Sequence, residues 1–356
     1  MEIEPVFDGH NDALLAIRQR PGGGRWFLKH GRKGHLDLGR ARAGGLRGGL
    51  FAVFVPGPER VLASRVVSRG DSWEVPAIDP IDSDHAWREA TAMVAALHRL
   101  QRESDGELAV LRDAAALESA LSSAGGAPLA AVLHLEGAEP LDAPDGFEDR
   151  LDVLHAAGLL SVGLVWSRPN AFGHGVPFRF PSSPDVGPGL SSAGRRLVKA
   201  CNSRGIMVDV AHLNARGFRD VARISKAPLV CSHSAAHAIT PTARNLTDHQ
   251  LEVIRDSGGL VGVTFNVSDV RPDGRHDPDT PLGAIAAHVV HIAERIGIDH
   301  VALGSDFDGA MMPRELRDAA GLPRLAEVLR AHGLGDEAVR KVARENWLRV
   351  LRTTWH

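Results

Sequence analysis

The chain has 356 residues, 44% of them hydrophobic, which is enough apolar material for one large domain or two ordinary ones. Lys and Arg total 41 against 44 Asp and Glu, a formal charge of −3, so there is no global basic field to hold phosphate backbones and no nucleic-acid partner is expected. Two cysteines, Cys201 and Cys231, cannot build a disulfide framework or a four-thiolate zinc site, and without tyrosine no phenol can serve as acid, base or nucleophile.

In chain order, eight strand-like apolar runs cover residues 5–7, 49–55, 129–135, 160–166, 206–210, 228–231, 260–265 and 300–303. Most are continuous rather than alternating, as parallel strands covered on both faces read. Helical spacing fills much of the chain between them. Trp87, Ala90, Met93, Val94, Leu97 and Leu100 mark a helix over 83–102, and 147–157, 191–203, 247–256 and 281–296 repeat the theme. Thr247-x-x-Gln250 resembles a capping box, and a helix over 337–351 closes the chain. Eight strands alternating with helices predict one α/β domain over residues 1–356, a (β/α)8 TIM-type barrel, with a doubly wound open sheet as the structural alternative. Two stretches, 18–47 and 169–188, are long for connectors. In a barrel both would lie on the C-terminal face, and the first reads equally as a mobile surface arm.

Both chain ends bear on location. Met1-Glu2-Ile3-Glu4-Pro5 has neither a basic n-region nor a long apolar h-region, no run of about 18 apolar residues occurs, and the C-terminal residues carry no hydrophobic tail. The expectation is a cytoplasmic protein with no membrane partner.

Polar residues cluster where the apolar runs end. The first run ends Asp8-Gly9-His10-Asn11-Asp12; residues i and i+2 share a face of an extended chain, so His10 and Asp12 can point together into a barrel mouth. His-x-Asp alone is a weak signal, since Asp12 also reads as a helix cap. The third run ends His134-Leu135-Glu136, and a carboxylate there needs either a metal or one of the many arginines. His134 shares its face but reads as packed behind the site. The fifth and sixth runs end Asp209-Val210-Ala211-His212 and Cys231-Ser232-His233, delivering one histidine each at the same end. Five such ligands suit a dinuclear centre, one metal on His10, Asp12 and Glu136 and the other on Glu136, His212 and His233. Asp209 needs no metal role, and Cys231 reads as a buried neutral thiol. The eighth run ends Gly304-Ser305-Asp306-Phe307-Asp308-Gly309. Asp306 would emerge beside the metals as a proton carrier, whereas Asp308 suits a turn.

These residues resemble the membrane dipeptidase (renal dipeptidase) family of zinc peptidases, within the amidohydrolase-like metal-dependent barrels. The resemblance rests on Asp8-Gly9-His10-Asn11-Asp12, Leu135-Glu136-Gly137, Asp209-x-x-His212, Ser232-His233-Ser234, Ala243-Arg244-Asn245, Gly304-Ser305-Asp306-Phe307-Asp308-Gly309 and Glu345-Asn346-Trp347-Leu348-Arg349-Val350, in order over almost the whole chain. It implies two Zn2+ per chain on His10, Asp12, Glu136, His212 and His233, with Glu136 bridging. Arg244 would bind the carboxylate of a free dipeptide, and Asp306 would work with the bridging hydroxide that attacks the peptide bond. Substrates would include dipeptides with a D-residue at the C-terminal position, and the assembly would be a homodimer. One departure stands out. Where many family members carry a histidine at the end of strand four, this chain reads Val165-Trp166-Ser167-Arg168-Pro169-Asn170, with Trp166 at that position. Trp166 is then expected as a substrate wall, and Asn170, Arg168 or His174 as stand-ins for the missing group. Two other readings stay open: a hydrolase of another small amide, ester or lactam on the same barrel, and a catalytically silent peptide-binding homologue. The first commonly begins His-x-His with a modified lysine, unlike His10-x-Asp12 with Glu136.

Overall fold

A computed structural model describes residues 4–20, 22–29, 33–57, 65–122, 127–143 and 145–355. The leader reading over residues 1–3, the last residue of the C-terminal reading and residues 21 and 30–32 of the stretch 18–47 lie outside them. The eight apolar runs form eight strands: β1 (Val6–Asn11), β2 (Leu46–Phe54), β3 (Leu129–Glu136), β4 (Leu159–Gly163), β5 (Met207–Asp209), β6 (Val230–Ser234), β7 (Leu260–Val263) and β8 (Val301–Leu303). Each is parallel to the next, in chain order.

The seam between β8 and β1 is joined just beyond the strand ends. Asp306 N–H donates to His10 O at 3.0 Å and Asp12 N–H to Phe307 O at 2.7 Å. The Ser305 N–H and hydroxyl both donate to the Asp8 carboxylate, at 2.7 and 2.8 Å. Burial pushes Asp8 up to about 6 even against these bonds. The sheet is therefore a nearly closed barrel, and its last joint sits beside the residues expected to do chemistry.

Strand β3 shows why the runs read as continuously apolar. Ala130 and Val132 join an apolar cluster inside the barrel, while Ala131, Leu133 and Leu135 face the helical layer outside. Both faces are buried, so period-two alternation disappears from the sequence. Only at the top of the inward row does polarity enter, at His134 and Glu136.

The expected helices are present at Ser83–Glu103, Glu148–Ala156, Ser192–Ser203, Asp248–Asp256 and Leu282–Ile296, and the Thr247–Gln250 capping box forms. The closing helix differs from expectation. It is Asp336–Arg340 and Asn346–Thr354 joined by a π-helical turn over Lys341–Glu345. A wider turn shifts the phase of the helix beyond it. Asn346 Nδ2 then donates to Ile298 O and Val301 O at 2.7 Å each, and Trp347 Nε1 donates to Leu303 O at 3.0 Å. Trp347 packs on Phe7 inside the barrel, with ring centroids 5.5 Å apart.

Several short elements had no sequence signal. The helix Ala215–Ile224 is one, and Gly23–Leu28 and Leu38–Ala43 lie within the stretch 18–47. A small antiparallel sheet joins Val67–Arg69, Ser72–Glu74 and Arg179–Phe180, tying the stretch 169–188 to the β2 connection. No helix among the described residues is long and apolar enough to cross a membrane.

Gly9 sits over the Trp347 plug. A Cβ there would lie 2.3 Å from Trp347 Cζ2 and 2.6 Å from Ser232 O. Gly9→Ala is expected to cost about 1–3 kcal/mol through overpacking, read as a lower thermal midpoint; an unchanged midpoint would contradict this packing.

Candidate metal centre and substrate cavity

Four strand ends bring their polar side chains to one point. Asp12 directly follows β1, Glu136 ends β3, His212 lies just past β5, and His233 is in β6. Glu136 Oε2 lies 3.4 Å from His10 Nε2, while its Oε1 lies 3.1 Å from His212 Nε2 and 3.6 Å from His233 Nε2. His10 Nε2 is 3.5 Å from Asp12 Oδ2, and the Nε2 atoms of His212 and His233 are 3.1 Å apart. The groups able to hold a cation are His10, Asp12 and Glu136; Glu136, His212 and His233; and His10, His233 and Asp306.

The donor set fits metal ions. His10 Nε2 and Asp12 Oδ1 are buried without a hydrogen-bond partner. The separations of 3.1–3.6 Å match the edge of about 3.3 Å expected of a tetrahedron with bonds of about 2.0–2.1 Å. Two carboxylates and three imidazoles are ligands suited to zinc.

The histidine rings are held from behind. Ser167 Oγ lies 2.8 Å from His212 Nδ1, and Ser232 Oγ lies 2.8 Å from His233 Nδ1. The Ser232 hydroxyl donates to Asp209 Oδ2 at 2.5 Å, which leaves its oxygen to accept from His233 Nδ1–H. That tautomer puts the ring's lone pair on Nε2, facing Glu136. Asp209 also accepts the N–H groups of Ala211 and Ser232, so its carboxylate braces the loop between β5 and β6. His134 stands behind this cluster, with Nδ1 2.8 Å from Ser161 Oγ and its ring edge-on to His10. Both cysteines are free and buried, and burial drives the Cys231 thiol far up.

A cavity of about 490 Å3 opens above the cluster. Asp306, Arg244 and Trp166 line it. Asp306 has φ of +63° and His212 has φ of +63°, a left-handed backbone that non-glycine residues adopt at a cost and that often marks working sites. Arg244 is 6% exposed, and its guanidinium donates to His233 O at 3.2 Å but forms no ion pair among the described residues. Trp166 stacks obliquely between Phe54 and Phe178, with centroids 4.9 and 5.3 Å away, and is 6.0 Å from the His212 ring.

Asn170 is not brought to the cavity. Its amide donates to Leu164 O at 2.9 Å and accepts from Phe172 N–H and Gly173 N–H, so its polar atoms hold their own loop. Nor does Arg168 line it. Buried, Arg168 pairs with Glu139 at 2.7 Å and donates to Val55 O at 2.8 Å, beneath the rings of Trp166 and Phe54. His174 is absent from the lining too. Asp308 makes the expected turn and more: its carboxylate accepts His35 N–H at 2.8 Å, and its own N–H donates to His35 Nδ1 at 2.9 Å. Sequence reasoning missed Phe54, Trp73, Phe178, Asn266 and Asp269, which complete the walls. Phe54 ends β2, Asn266 and Asp269 follow β7, Trp73 lies in the small sheet and Phe178 directly precedes its last strand.

Burial dominates the electrostatics. It pushes Asp12 up to about 6 and His212 down to about 4, the latter with help from Arg244. It also raises Asp306 well above the carboxylate range, reinforced by the charges of Asp12 and Glu136. Burial raises Glu136 too, but there it is outweighed: the charge and hydrogen bonds of His10 and His212 hold the carboxylate ionised. Loading cations onto these atoms displaces protons.

The family model described as membrane dipeptidase (peptidase family M19) matches residues 1–355. A metallopeptidase from Rhodobacter sphaeroides, solved with a phosphinate mimic of the dipeptide L-Ala-D-Ala, superposes with a TM-score of 0.94 at 45% identity, over 99% of this chain and 100% of that one. A solved metallopeptidase of family M19, dipeptidase AC, gives 0.91 at 45% identity, over 99% of each chain. An uncharacterised protein from the pqqA 5′ region of Klebsiella pneumoniae is 46% identical over 277 residues, 78% of this chain and 98% of that protein.

The Asp209–Ser232–His233 chain makes a prediction separate from turnover. Ser232→Ala is expected to weaken metal retention about 10–100-fold in competition with a chelator. Unchanged affinity would mean that the hydroxyl does not set the ring.

Proposed function

The chain belongs to the membrane dipeptidase family, and on that premise we propose that it hydrolyses free dipeptides, including those with a D-residue at the C-terminal position, using two zinc ions held by His10, Asp12, Glu136, His212 and His233. One observation carries this reading. The two oxygens of Glu136 face two separate sets of ligand atoms, on the floor of a cavity whose wall holds a buried guanidinium with no ion pair among the described residues.

When bound, the zinc ions supply Lewis acidity, making water acidic enough to ionise near neutral pH and polarising an amide carbonyl. The protein's own groups do the rest. Arg244 holds the free carboxylate through paired N–H donors, which fixes the substrate from its C-terminal end. A clamp beside His233 leaves little room past two residues, so the substrate is a dipeptide rather than a long chain. Phe54, Trp166 and Phe178 form an apolar wall that excludes bulk water from the reacting bond. Asp306, half-buried and held by the β8–β1 joint, takes the proton of the attacking water and returns it to the leaving nitrogen. On this reading Trp166 supplies shape at the cavity wall.

Zinc-loaded protein is expected to cleave free dipeptides of both the L-Xaa-L-Xaa and L-Xaa-D-Xaa series. Asp306→Asn is expected to lower kcat about 100-fold or more. Steady-state kinetics on a dipeptide panel checks both. Silence across the panel would overturn the dipeptidase reading, and full turnover by Asp306→Asn would remove its proton role.

A further inference from the structure

We propose that Asp269 is a specificity-determining residue, selecting dipeptides whose C-terminal residue carries a cationic or hydrogen-bond-donating side chain. The proposal rests on the dipeptidase reading above.

Asp269 lies in the short helix Val267–Val270 that follows β7. It lines the cavity and is 5% exposed. Among the described residues its carboxylate accepts one hydrogen bond, from Asn266 Nδ2 at 2.9 Å, and forms no ion pair. An ionised carboxylate has about four acceptor positions. A buried one with a single donor is under-satisfied, and such a group favours a ligand that brings a donor or a positive charge. Burial raises the pKa of Asp269, and the charge of Arg244 opposes this.

The group is held in place. Asn245, next to Arg244, donates through one amide to both Thr240 O at 2.9 Å and Asp269 O at 2.8 Å. The segment carrying the guanidinium and the segment carrying the carboxylate are therefore tied through their backbones. On the far side, Trp73 Nε1 donates to Gly274 O at 2.7 Å, and its ring meets His276 edge-on at 4.5 Å.

The order of strands around the barrel assigns the two ends of the substrate. Arg244 follows β6 and Asp269 follows β7, adjacent strands, whereas Phe54 ends β2 and Trp166 follows β4 across the mouth. With the free carboxylate on Arg244, the C-terminal side chain lies toward Asp269 and the N-terminal residue meets the aromatic wall. The substrate's carboxylate offsets Arg244, so a positive or donor-bearing side chain beside Asp269 supplies the partner that its ionised form then lacks. A C-terminal acidic side chain would meet it as a like charge.

The test measures kcat/KM for L-Ala-Lys, L-Ala-norleucine and L-Ala-Glu, in whichever stereochemical series the zinc-loaded enzyme cleaves, for the wild-type protein and Asp269→Asn. Norleucine keeps the lysine stem without the ammonium. Ratios within one protein cancel its active fraction, so partial misfolding of the variant does not blur the result. The expected outcome is a wild-type preference for lysine over norleucine of about tenfold or more, with glutamate worst, collapsing toward one in Asp269→Asn. A wild-type ratio near one, or an equal ratio in both proteins, overturns the proposal while leaving the dipeptidase reading intact. Cleavage of none of the three by wild type, nor of any other dipeptide, overturns the reading on which it rests.

Discussion

Taking a carboxylate out of water costs on the order of several kcal/mol unless both oxygens find partners. Glu136 is 5% exposed at the top of a strand whose other inward side chains below His134 are apolar. Its solution is to face His10 with one oxygen and His212 and His233 with the other. That arrangement satisfies the charge only if the three imidazoles present either protons or cations toward it. Most of the surrounding structure serves that requirement. The serines behind His212 and His233 fix which ring nitrogen faces inward, Asp209 fixes Ser232, and the nearly closed barrel keeps four strand ends within reach of a single carboxylate.

The same constraint explains where strain is tolerated. His212 and Asp306 both adopt left-handed backbone, and each sits where the chain turns sharply away from a strand end. Asp306 is pinned by its N–H to His10 O, and the neighbouring Ser305 is anchored on Asp8. The joint that closes the barrel thus also orients the side chain expected to move a proton. The same few hydrogen bonds close the barrel and hold Asp306, and the stretch 33–37 reinforces them from outside through His35 and Asp308.

Much of this was legible in the sequence because burial on two faces leaves a plain mark. All eight apolar runs became strands, and the polar residues closing them came together as their positions required. The i, i+2 spacing of His10 and Asp12, and a histidine after each of two consecutive runs, carried the information. The features that stayed hidden depend on contacts between distant segments. The three small strands of Val67–Arg69, Ser72–Glu74 and Arg179–Phe180 are too short for any periodicity, yet they bring Trp73 and Phe178 to the cavity. Asn170 lay close in sequence to the site but spends its amide on its own loop, a choice that spacing does not reveal. Arg168 looked available and is instead buried against Glu139. The π-helical turn at Lys341–Glu345 interrupts a pattern that reads as one continuous helix, because the capture of Asn346 and Trp347 by the barrel floor is a tertiary effect.

The claim on which the account turns is that one carboxylate serves two cations. Elemental analysis after equilibration with zinc and gel filtration, on the wild-type protein and on Glu136→Gln, tests it without reference to any substrate. The account predicts about two zinc ions per chain in the wild type and the loss of at least one in the variant, since a neutral amide cannot bridge two cations as a carboxylate does. One ion or none in the wild type, or two retained by Glu136→Gln, would contradict it.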